Sequence, residues 1–235
     1  MQIKYFDDYD AMSEETSQQI AVKIAAKPDL LLCSASGSSP LGAYKKLAQN
    51  GSIVFEQLRI IKLDEWGGIE MDNPQSCESF LQEHVLKPLR VHPDRYITFQ
   101  TNPQNKEAEC RTVSNYLENN GPIDLCVLGL GLNGHIAFNE PADFLQPFAH
   151  IAELSGTSMQ HPMASKMDQK PTYGLTLGMA EILQSRKIMI AVTGKKKKVI
   201  AENFLSGKIT TRLPASFLWL HPNVECLVDK TIFDD

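Results

Sequence analysis

The sequence predicts an α/β protein with an open, mostly parallel, doubly wound sheet and helices on both faces, as in Rossmann-like folds. Short apolar runs recur along the chain, and amphipathic stretches with helical spacing lie between them. The apolar runs are continuous rather than alternating, which is typical of strands buried on both faces of a parallel sheet. These observations together favour alternating strands and helices over an all-helical or all-β chain.

Five apolar runs, each bounded by turn or charged residues, are the predicted strands. They are residues 29–35, 58–64, 123–130, 187–194 and 224–229.

Helices are predicted between these runs. They are residues Ser13–Ala26, 39–51, 76–86, 105–121 and 195–207. The second has Ser39 as its predicted N-cap, Pro40 in the first turn and Gly51 as its terminator. Residues 143–170 have weak periodicity, so a lid or binding loop is predicted there, with an exposed loop of no functional consequence as the alternative.

The composition is that of an ordinary globular protein, with 43% hydrophobic and 22% charged residues in 235. No linker or repeat divides the chain, so a single domain over residues 1–235 is expected. The net charge of −5 offers no general attraction to nucleic acid, and no nucleic-acid partner is expected. No stretch approaches the ~18 apolar residues of a membrane span, and the acidic N-terminus does not resemble a signal peptide. A cytoplasmic protein without a membrane partner is therefore expected.

Five cysteines occur, an odd number without the Cys-x-x-Cys spacing of a zinc or redox site. Three of them, Cys33, Cys126 and Cys226, lie in the predicted strands. We therefore expect reduced cysteines that behave as small buried apolar residues.

Polar clusters follow four of the predicted strands. They are SGSSP (36–40), DEWGG (64–68), GLNGHIAFNEP (131–141) and GKKKK (194–198). Ligands of an open parallel sheet bind beyond the carboxyl ends of the strands, so these clusters are expected to meet at one edge.

An anion site is predicted at the first and last clusters. Ser36, Gly37, Ser38 and Ser39 form a hydroxyl-rich turn that opens into a helix, where backbone N–H groups suit a phosphate. An ordinary polar loop is the alternative. The lysines at 195–198 oppose the dipole of the helix they precede, which indicates an anion nearby, although a solvated charge run explains most of them equally well.

Asp64 and Glu65 are adjacent at the end of a predicted strand. On an extended chain only one of them can face the site. A carboxylate there could act as a general base if its pKa is raised, and a structural cap of the loop is the alternative.

The third cluster supplies an amide, an imidazole and a carboxylate within eight positions: Asn133, His135 and Glu140. His135 follows a glycine at a strand end and has an acid to orient it, so a catalytic role is favoured over a structural one. The spacing does not match the His-Glu-x-x-His pattern, so no metal is expected. The glycines follow the third strand rather than the first, and no dinucleotide cofactor is expected.

The motifs SASGSSPLGAYKKL, KLDEWGG and LGLGLNGHIAFNEPA resemble those of the glucosamine-6-phosphate deaminase/isomerase family. This family belongs to a superfamily that includes the 6-phosphogluconolactonases. The resemblance covers nearly the whole chain in order, and GHIAFNEP is its most specific motif. The stretches DLCVLGLGLNGH, SCESFLQEHV and PASFLWLHPN are more similar to the galactosamine-6-phosphate branch.

The resemblance implies an aldose–ketose isomerisation coupled to loss of ammonia, without cofactor or metal. The expected conversion is galactosamine 6-phosphate to tagatose 6-phosphate. Asp64 matches the base that moves a proton between C2 and C1. His135 matches the imidazole that helps to open the sugar ring, and Glu140 matches its oriented partner. The turn Ser36–Ser39 and Lys197 match the phosphate-binding residues.

The chain departs from the better-known glucosamine enzymes in three ways. Asn133 stands where they have an aspartate; an amide orients His135 without lending it negative charge, and the galactosamine branch also has asparagine there. The lid arginine that holds phosphate has no match, and Lys166 is expected to substitute. His150 and Ala152 stand where the allosteric hexamers have basic residues, and the chain stops before their C-terminal tail. Another oligomer is possible, but no activation by an amino-sugar phosphate is expected.

Three alternatives stay open at the level of sequence. The first is the glucosamine epimer, because the fit of one hydroxyl depends on pocket shape. The second is lactone hydrolysis, although AFNEP after GH favours the deaminases. The third is a sensor that binds a sugar phosphate without turnover, which would be expected to lose Asp64, His135 and Glu140, whereas this chain keeps all three.

Overall fold

The computed structural model describes residues 1–51 and 55–234. Ten strands are assigned in these ranges: β1 (Gln2–Phe6), β2 (Leu31–Ser34), β3 (Arg59–Lys62), β4 (Asp64–Gly67), β5 (Tyr96–Ile97), β6 (Leu125–Gly129), β7 (His150–Ala152), β8 (Tyr173–Thr176), β9 (Ile188–Val192) and β10 (Val224–Asp229). The α-helices are α1 (Tyr9–Ala26), α2 (Ser38–Ala48), α3 (Cys77–Leu81), α4 (Lys106–Asn120), α5 (Gly156–Met159), α6 (Pro162–Lys166), α7 (Met179–Leu183) and α8 (Lys198–Leu205). A π-helical turn at Gln82–Leu86 continues α3, and 3₁₀ turns cover Pro93–Arg95, Lys195–Lys197, Pro214–Leu220 and Lys230–Phe233.

Seven strands form the central sheet in the order β1-β10-β9-β6-β2-β3-β5, and every neighbouring pair is parallel. The predicted open parallel sheet is confirmed. From β2 the chain runs outward through β3 and β5, then returns to β6 and runs the other way through β9 and β10. The strand order thus reverses between β2 and β6, the point where open α/β sheets bind ligands.

Both faces of this sheet are buried, as the continuous apolar runs predict. On one face Leu32 belongs to a core cluster with Ile20 of α1. On the other face Leu31 and Cys33 belong to a second cluster with Val113 of α4. Successive side chains of β2 therefore enter opposite cores, which leaves no solvent face for polar residues.

A second, antiparallel sheet in the order β4-β8-β7 lies beside the first and was not predicted. The predicted strand 58–64 is therefore wrong at its end, because β3 stops at Lys62. At the junction the Leu63 N–H donates to the Ser34 carbonyl at 3.3 Å, and the Leu63 carbonyl accepts from the Leu177 N–H at 3.0 Å. The chain thus leaves one sheet for the other, and Asp64 is the first residue after the junction.

Helices α1 and α2 begin at residues other than the predicted ones. Helix α1 begins at Tyr9 rather than Ser13, because the Asp8 side chain accepts from the Ala11 N–H at 2.8 Å and caps the helix. Helix α2 begins at Ser38 with Gly37 as its N-cap, so the prediction of Ser39 as the cap is wrong. Gly37 has a φ of 101°, which glycine adopts without strain. The Ser39 side chain is thereby left available to the adjoining turn.

The predicted irregular segment 143–170 is partly ordered, since it contains β7, α5 and α6. The predicted helix at 195–207 divides into a 3₁₀ turn and the shorter α8. All five cysteines are buried and free, as expected. Within 1–51 and 55–234, none of the helices combines the length and the apolar character needed to cross a membrane.

Candidate active site

A cavity of about 330 Å³ lies at the carboxyl ends of the central strands. Its volume falls within the roughly 300–1,000 Å³ of small-molecule sites. All four polar clusters and the segment after β7 contribute to its wall. The lining residues are Ala35–Ser39, Leu63, Asp64, Trp66, Cys77, Gly129–Leu132, His135, Ala137, Phe138, Thr157, Ser158, His161–Met163 and Thr193–Lys197.

Most of the predicted site residues meet at this cavity. Those that line it are Ser36, Gly37, Ser38, Ser39, Asp64, His135 and Lys197. Asn133 and Glu140 are not in the wall but are hydrogen-bonded to each other behind His135. Lys166 is exposed on α6 and is not among the lining residues, so the structure does not bring it to the cavity.

Asp64 faces the cavity from the start of β4, and Glu65 faces away from it. The alternation of side chains along an extended chain accounts for this division. Burial raises the pKa of Asp64, and the Glu65 carboxylate raises it further; the Lys62 charge and the Cys77 thiol oppose this, and the result is about 7. The two protonation states of Asp64 are therefore both accessible near neutral pH.

A buried ion cluster lies behind Asp64. The Lys62 ammonium contacts Glu65 at 2.7 Å and Glu78 at 2.9 Å. Glu65 also accepts from the Cys77 N–H at 2.9 Å and from the Glu78 N–H at 2.8 Å, so it caps the first turn of α3. The cluster fixes β4 against α3 and keeps a negative charge close to Asp64.

The Cys77 side chain is a site residue that the sequence did not suggest. Its sulfur lies 3.9 Å from an Asp64 carboxylate oxygen and 3.1 Å from the Ser36 hydroxyl. Burial raises the pKa of the Cys77 thiol well above its usual value, so the thiol stays protonated and donates to Asp64. No spacing pattern in the sequence indicates this contact, because Cys77 lies on a helix 13 residues after Asp64.

The His135 imidazole is held from behind by Glu140. The His135 Nδ1 lies 3.4 Å from a Glu140 carboxylate oxygen and 3.3 Å from the Ser158 hydroxyl. Glu140 also accepts from the Ser158 hydroxyl and from the Asn133 amide, the latter at 2.7 Å. Because Nδ1 is engaged by a carboxylate, Nε2 is left for the cavity.

The pKa of Glu140 is shifted in the opposite direction to that of Asp64. Burial by itself raises the pKa of Glu140, but the hydrogen bond and charge of His135, with the donors Ser158 and Asn133, lower it to about 2. Glu140 is therefore a permanent anion at physiological pH. The arrangement is typical of a carboxylate that orients an imidazole and stabilises its protonated form.

Gly131 is required by the position of the His135 ring. A methyl group built on Gly131 would lie 2.4 Å from the His135 Nε2 and 2.3 Å from its Cδ2. Any larger residue at 131 would displace the imidazole from the cavity. The glycine of the motif thus allows close packing rather than phosphate binding.

The opposite end of the cavity carries hydroxyl and ammonium donors. The Lys197 ammonium lies 3.4 Å from the Ser39 hydroxyl, which joins the turn after β2 to the turn after β9. Burial lowers the pKa of Lys197 to about 8, so its charged form is less favoured than at an exposed lysine. Lys195 and Lys196 also line the cavity. This end can hold an anion, which would compensate the buried charge.

The segment between β7 and β8 closes the cavity with residues that the sequence analysis did not single out. Ser158 of α5 is hydrogen-bonded to His135 and Glu140, and His161 caps α6 at the anion end. The sequence contains only weak indications of these two helices. Ser155 is a possible N-cap three residues before Ser158, and Pro162 suits the first position of a helix that His161 would cap. The prediction of a functional segment at 143–170 is consistent with this placement.

Comparisons with known proteins show which proteins the chain is similar to. A family described as glucosamine-6-phosphate isomerases/6-phosphogluconolactonase matches residues 8–228. The chain is 40% identical over 230 residues to AgaI of Escherichia coli (strain K12), a provisionally assigned deaminase, covering 97% of this chain and 91% of that protein. It is 33% identical over 235 residues to a glucosamine-6-phosphate deaminase of Halothermothrix orenii, covering 98% of each.

Among solved structures, the chain is similar to a monomeric glucosamine-6-phosphate deaminase. The TM-score is 0.94 with 30% sequence identity, and the match covers 99% of each chain. The fold is therefore shared over nearly the full length of both chains.

Proposed function

The chain belongs to the glucosamine-6-phosphate isomerase/6-phosphogluconolactonase family and is an enzyme of its deaminase/isomerase group. From this premise we propose that it converts galactosamine 6-phosphate and water into tagatose 6-phosphate and ammonia. One observation supports the proposal above all. A single cavity joins a cationic, hydroxyl-rich end to a carboxylate of raised pKa and a carboxylate-bound imidazole.

The phosphate of the substrate binds at the end formed by Ser36–Ser39 and Lys197. Backbone N–H groups at the start of α2 and the Lys197 ammonium are suitable donors to a phosphate. Anchoring the phosphate there directs C1 and C2 of the sugar toward Asp64 and His135. Such positioning of the reacting atoms is a major source of rate enhancement.

His135 opens the sugar ring. Its Nε2 takes the proton of the C1 hydroxyl and returns a proton to the ring oxygen as the C1–O bond breaks. Glu140 stabilises the imidazolium that forms between these steps, because it is held as an anion 3.4 Å from Nδ1. Asn133 and Ser158 keep the Glu140 carboxylate in position.

Asp64 then moves the proton between carbons. It removes the proton from C2 of the open-chain amino aldehyde, while a proton passes from the substrate's ammonium group to O1 to give an enolamine, and it then delivers its proton to C1. The products of this step are a C1 hydroxymethyl group and a C2 iminium. One water adds to C2, one ammonia leaves, and the ketose phosphate remains. A pKa of about 7 suits a group that must both accept and donate a proton.

Asn133 supports galactosamine 6-phosphate as the substrate. It stands where the glucosamine enzymes have an aspartate, and it binds Glu140 through its amide at 2.7 Å. Glucosamine 6-phosphate is the second candidate, since relatives named for that activity are 33% and 30% identical to this chain. The two substrates differ only in the orientation of the C4 hydroxyl.

The deciding experiment measures ammonia release from galactosamine 6-phosphate and glucosamine 6-phosphate side by side, with 6-phosphogluconolactone hydrolysis as a third assay. We expect the higher kcat/KM with the galactosamine epimer. A preference for glucosamine 6-phosphate would contradict the proposed substrate and leave the proposed mechanism in place. Binding of both epimers without ammonia release would indicate a sensor and contradict the enzyme.

Regulation by an amino-sugar phosphate is not expected for this enzyme. His150 and Ala152 lie on β7, where the allosteric hexamers are expected to have basic residues. We propose hyperbolic kinetics in a form smaller than a hexamer. Rate curves with and without a second, non-reacting amino-sugar phosphate test the kinetics, and sedimentation analysis tests the assembly. A sigmoidal curve that becomes hyperbolic when that compound is added would contradict the proposal.

A further inference from the structure

His161 is a polar group of the cavity to which the proposed mechanism gives no role. It lies directly before α6, in the segment that covers the cavity, and it lines the wall together with Pro162 and Met163. A methyl group built on Gly37 would lie 3.9 Å from the His161 Nε2 and 4.0 Å from its Cε1. The ring therefore lies close to the turn at Gly37, and both line the same cavity.

The hydrogen bonds of the ring define which nitrogen carries the proton. The His161 Nδ1 accepts from the Met163 backbone N–H at 3.3 Å and caps α6. In a neutral imidazole the proton then resides on Nε2. Within residues 1–51 and 55–234 this Nε2 has no hydrogen-bond partner, so it presents a donor to the cavity.

The charged groups that act on the His161 ring, His135 and Lys197, are cationic. Burial, together with the charges of His135 and Lys197, lowers the pKa of His161 to about 4, so the ring is neutral at physiological pH. Trp66 is an uncharged neighbour, with ring centroids 6.2 Å apart. The groups that surround the space between His161, Lys197 and the Gly37 turn are thus hydrogen-bond donors, and Lys197 adds a positive charge. An anion in that space would accept from all three.

We propose that His161 is a phosphate-binding residue, which donates its Nε2–H to the substrate phosphate from the covering segment, opposite Lys197 and the Ser36–Ser39 turn. The inference rests on the proposed function, because it assigns a further ligand to the same phosphate end. It gives that end a donor on each side of the cavity. The phosphate would then bridge the central sheet and the covering segment.

Two consequences distinguish this role from simple packing. The donor is a neutral N–H, so glutamine, which carries an amide N–H of similar reach, should replace histidine better than alanine does. The contact is to the phosphate and not to the reacting carbons, so its loss should raise KM for the sugar phosphate far more than it lowers kcat.

The test measures binding of inorganic phosphate by titration calorimetry to four proteins: wild type, His161→Ala, His161→Gln and Gln160→Ala. Gln160 is the exposed neighbour in the same segment and serves as the matched control. We expect His161→Ala to weaken phosphate binding roughly 10- to 100-fold, the usual range for a hydrogen bond to a charged group. His161→Gln should recover most of this loss, and Gln160→Ala should bind like wild type.

The outcomes separate this inference from the proposed function. If wild type and His161→Ala bind phosphate equally, His161 is not a ligand, and the proposed function stands. If wild type binds no phosphate, the phosphate end itself is wrong, and both proposals fail. Thermal unfolding of each variant is measured in parallel. If His161→Ala does not fold, His161→Phe, which keeps an aromatic ring but has no N–H, takes its place: weakened phosphate binding by a folded His161→Phe beside near-normal binding by His161→Gln supports the inference, and equal binding by the two overturns it.

Discussion

Two carboxylates of the site, Asp64 in the cavity wall and Glu140 behind His135, have opposite electrostatic surroundings. Asp64 is partly buried next to a second carboxylate, Glu65, and its pKa rises to about 7. Glu140 is also partly buried, but His135, Ser158 and Asn133 donate to it, and its pKa falls to about 2. Burial acts in the same direction on both groups, so the partners decide the outcome. The comparison teaches that one carboxylate is suited to exchange a proton and the other to remain charged.

The largest expected effect on kcat comes from replacing Asp64, the carboxylate proposed to exchange a proton with the substrate. Asp64→Asn should lower kcat by roughly 10²- to 10⁴-fold, because an amide cannot take the proton from C2. Affinity for the substrate should change little, since the phosphate end is untouched. Single-turnover kinetics and equilibrium binding measure the two quantities. Asp72→Asn, an exposed carboxylate after β4, is the matched control; an Asp64→Asn enzyme as active as this control would remove Asp64 from the mechanism.

The second effect tests the permanently charged carboxylate. Glu140→Gln should lower kcat roughly 10- to 100-fold, because the His135 imidazolium loses a charged hydrogen-bond partner. Supplying the open-chain form of a substrate analogue should bypass part of the loss. Glu153→Gln, at an exposed position after β7, is the control. Equal losses with ring-closed and open-chain substrates would show that Glu140 acts elsewhere than in ring opening.

The third prediction concerns a substitution that should lower the pKa of Asp64 toward that of Glu140. Glu65→Gln removes the negative charge that raises the Asp64 pKa. The acid limb of the kcat profile, below which Asp64 is protonated, should therefore move to lower pH by on the order of one unit. Profiles of wild type and of the exposed control Glu70→Gln should coincide. If Glu65→Gln leaves the limb in place, the charge of Glu65 does not tune the base.

The smallest effect should come from Asn133→Asp, which places a second carboxylate beside Glu140. The amide donor to Glu140 is lost, and the added negative charge favours the protonated imidazole of His135. The limb of the rate profile that reports His135 should therefore move to higher pH, by about one unit or less. A profile identical to wild type would mean that residue 133 is not coupled to His135.

The features that the sequence predicted best are the buried strands and the polar residues at their ends. The continuous apolar runs predicted β2, β6, β9 and β10, because strands buried on both faces are apolar at most successive positions. The short edge strand β1 has an exposed and partly buried pattern and was missed. Polar clusters at strand ends led to Asp64 and His135, because the doubly wound sheet brings those ends together.

The residues that were missed depend on contacts between distant segments. Cys77 and His161 reach the cavity only because α3 packs on β4 and because α6 folds over the Gly37 turn. Lys166, predicted as the lid cation, is exposed and does not line the cavity. The weak periodicity of 143–170 does not indicate which of its residues face the cavity and which face solvent.

The sequence by itself determined the class of fold, the strand ends that carry polar groups and the residue types that suit acid–base chemistry with a phosphate. Only the tertiary structure decided the environment of each group. Whether a carboxylate becomes a base or a fixed anion depends on which charges and donors lie within a few ångströms of it. Those neighbours, Glu65 beside Asp64 and Ser158 beside Glu140, are set by packing rather than by any local pattern.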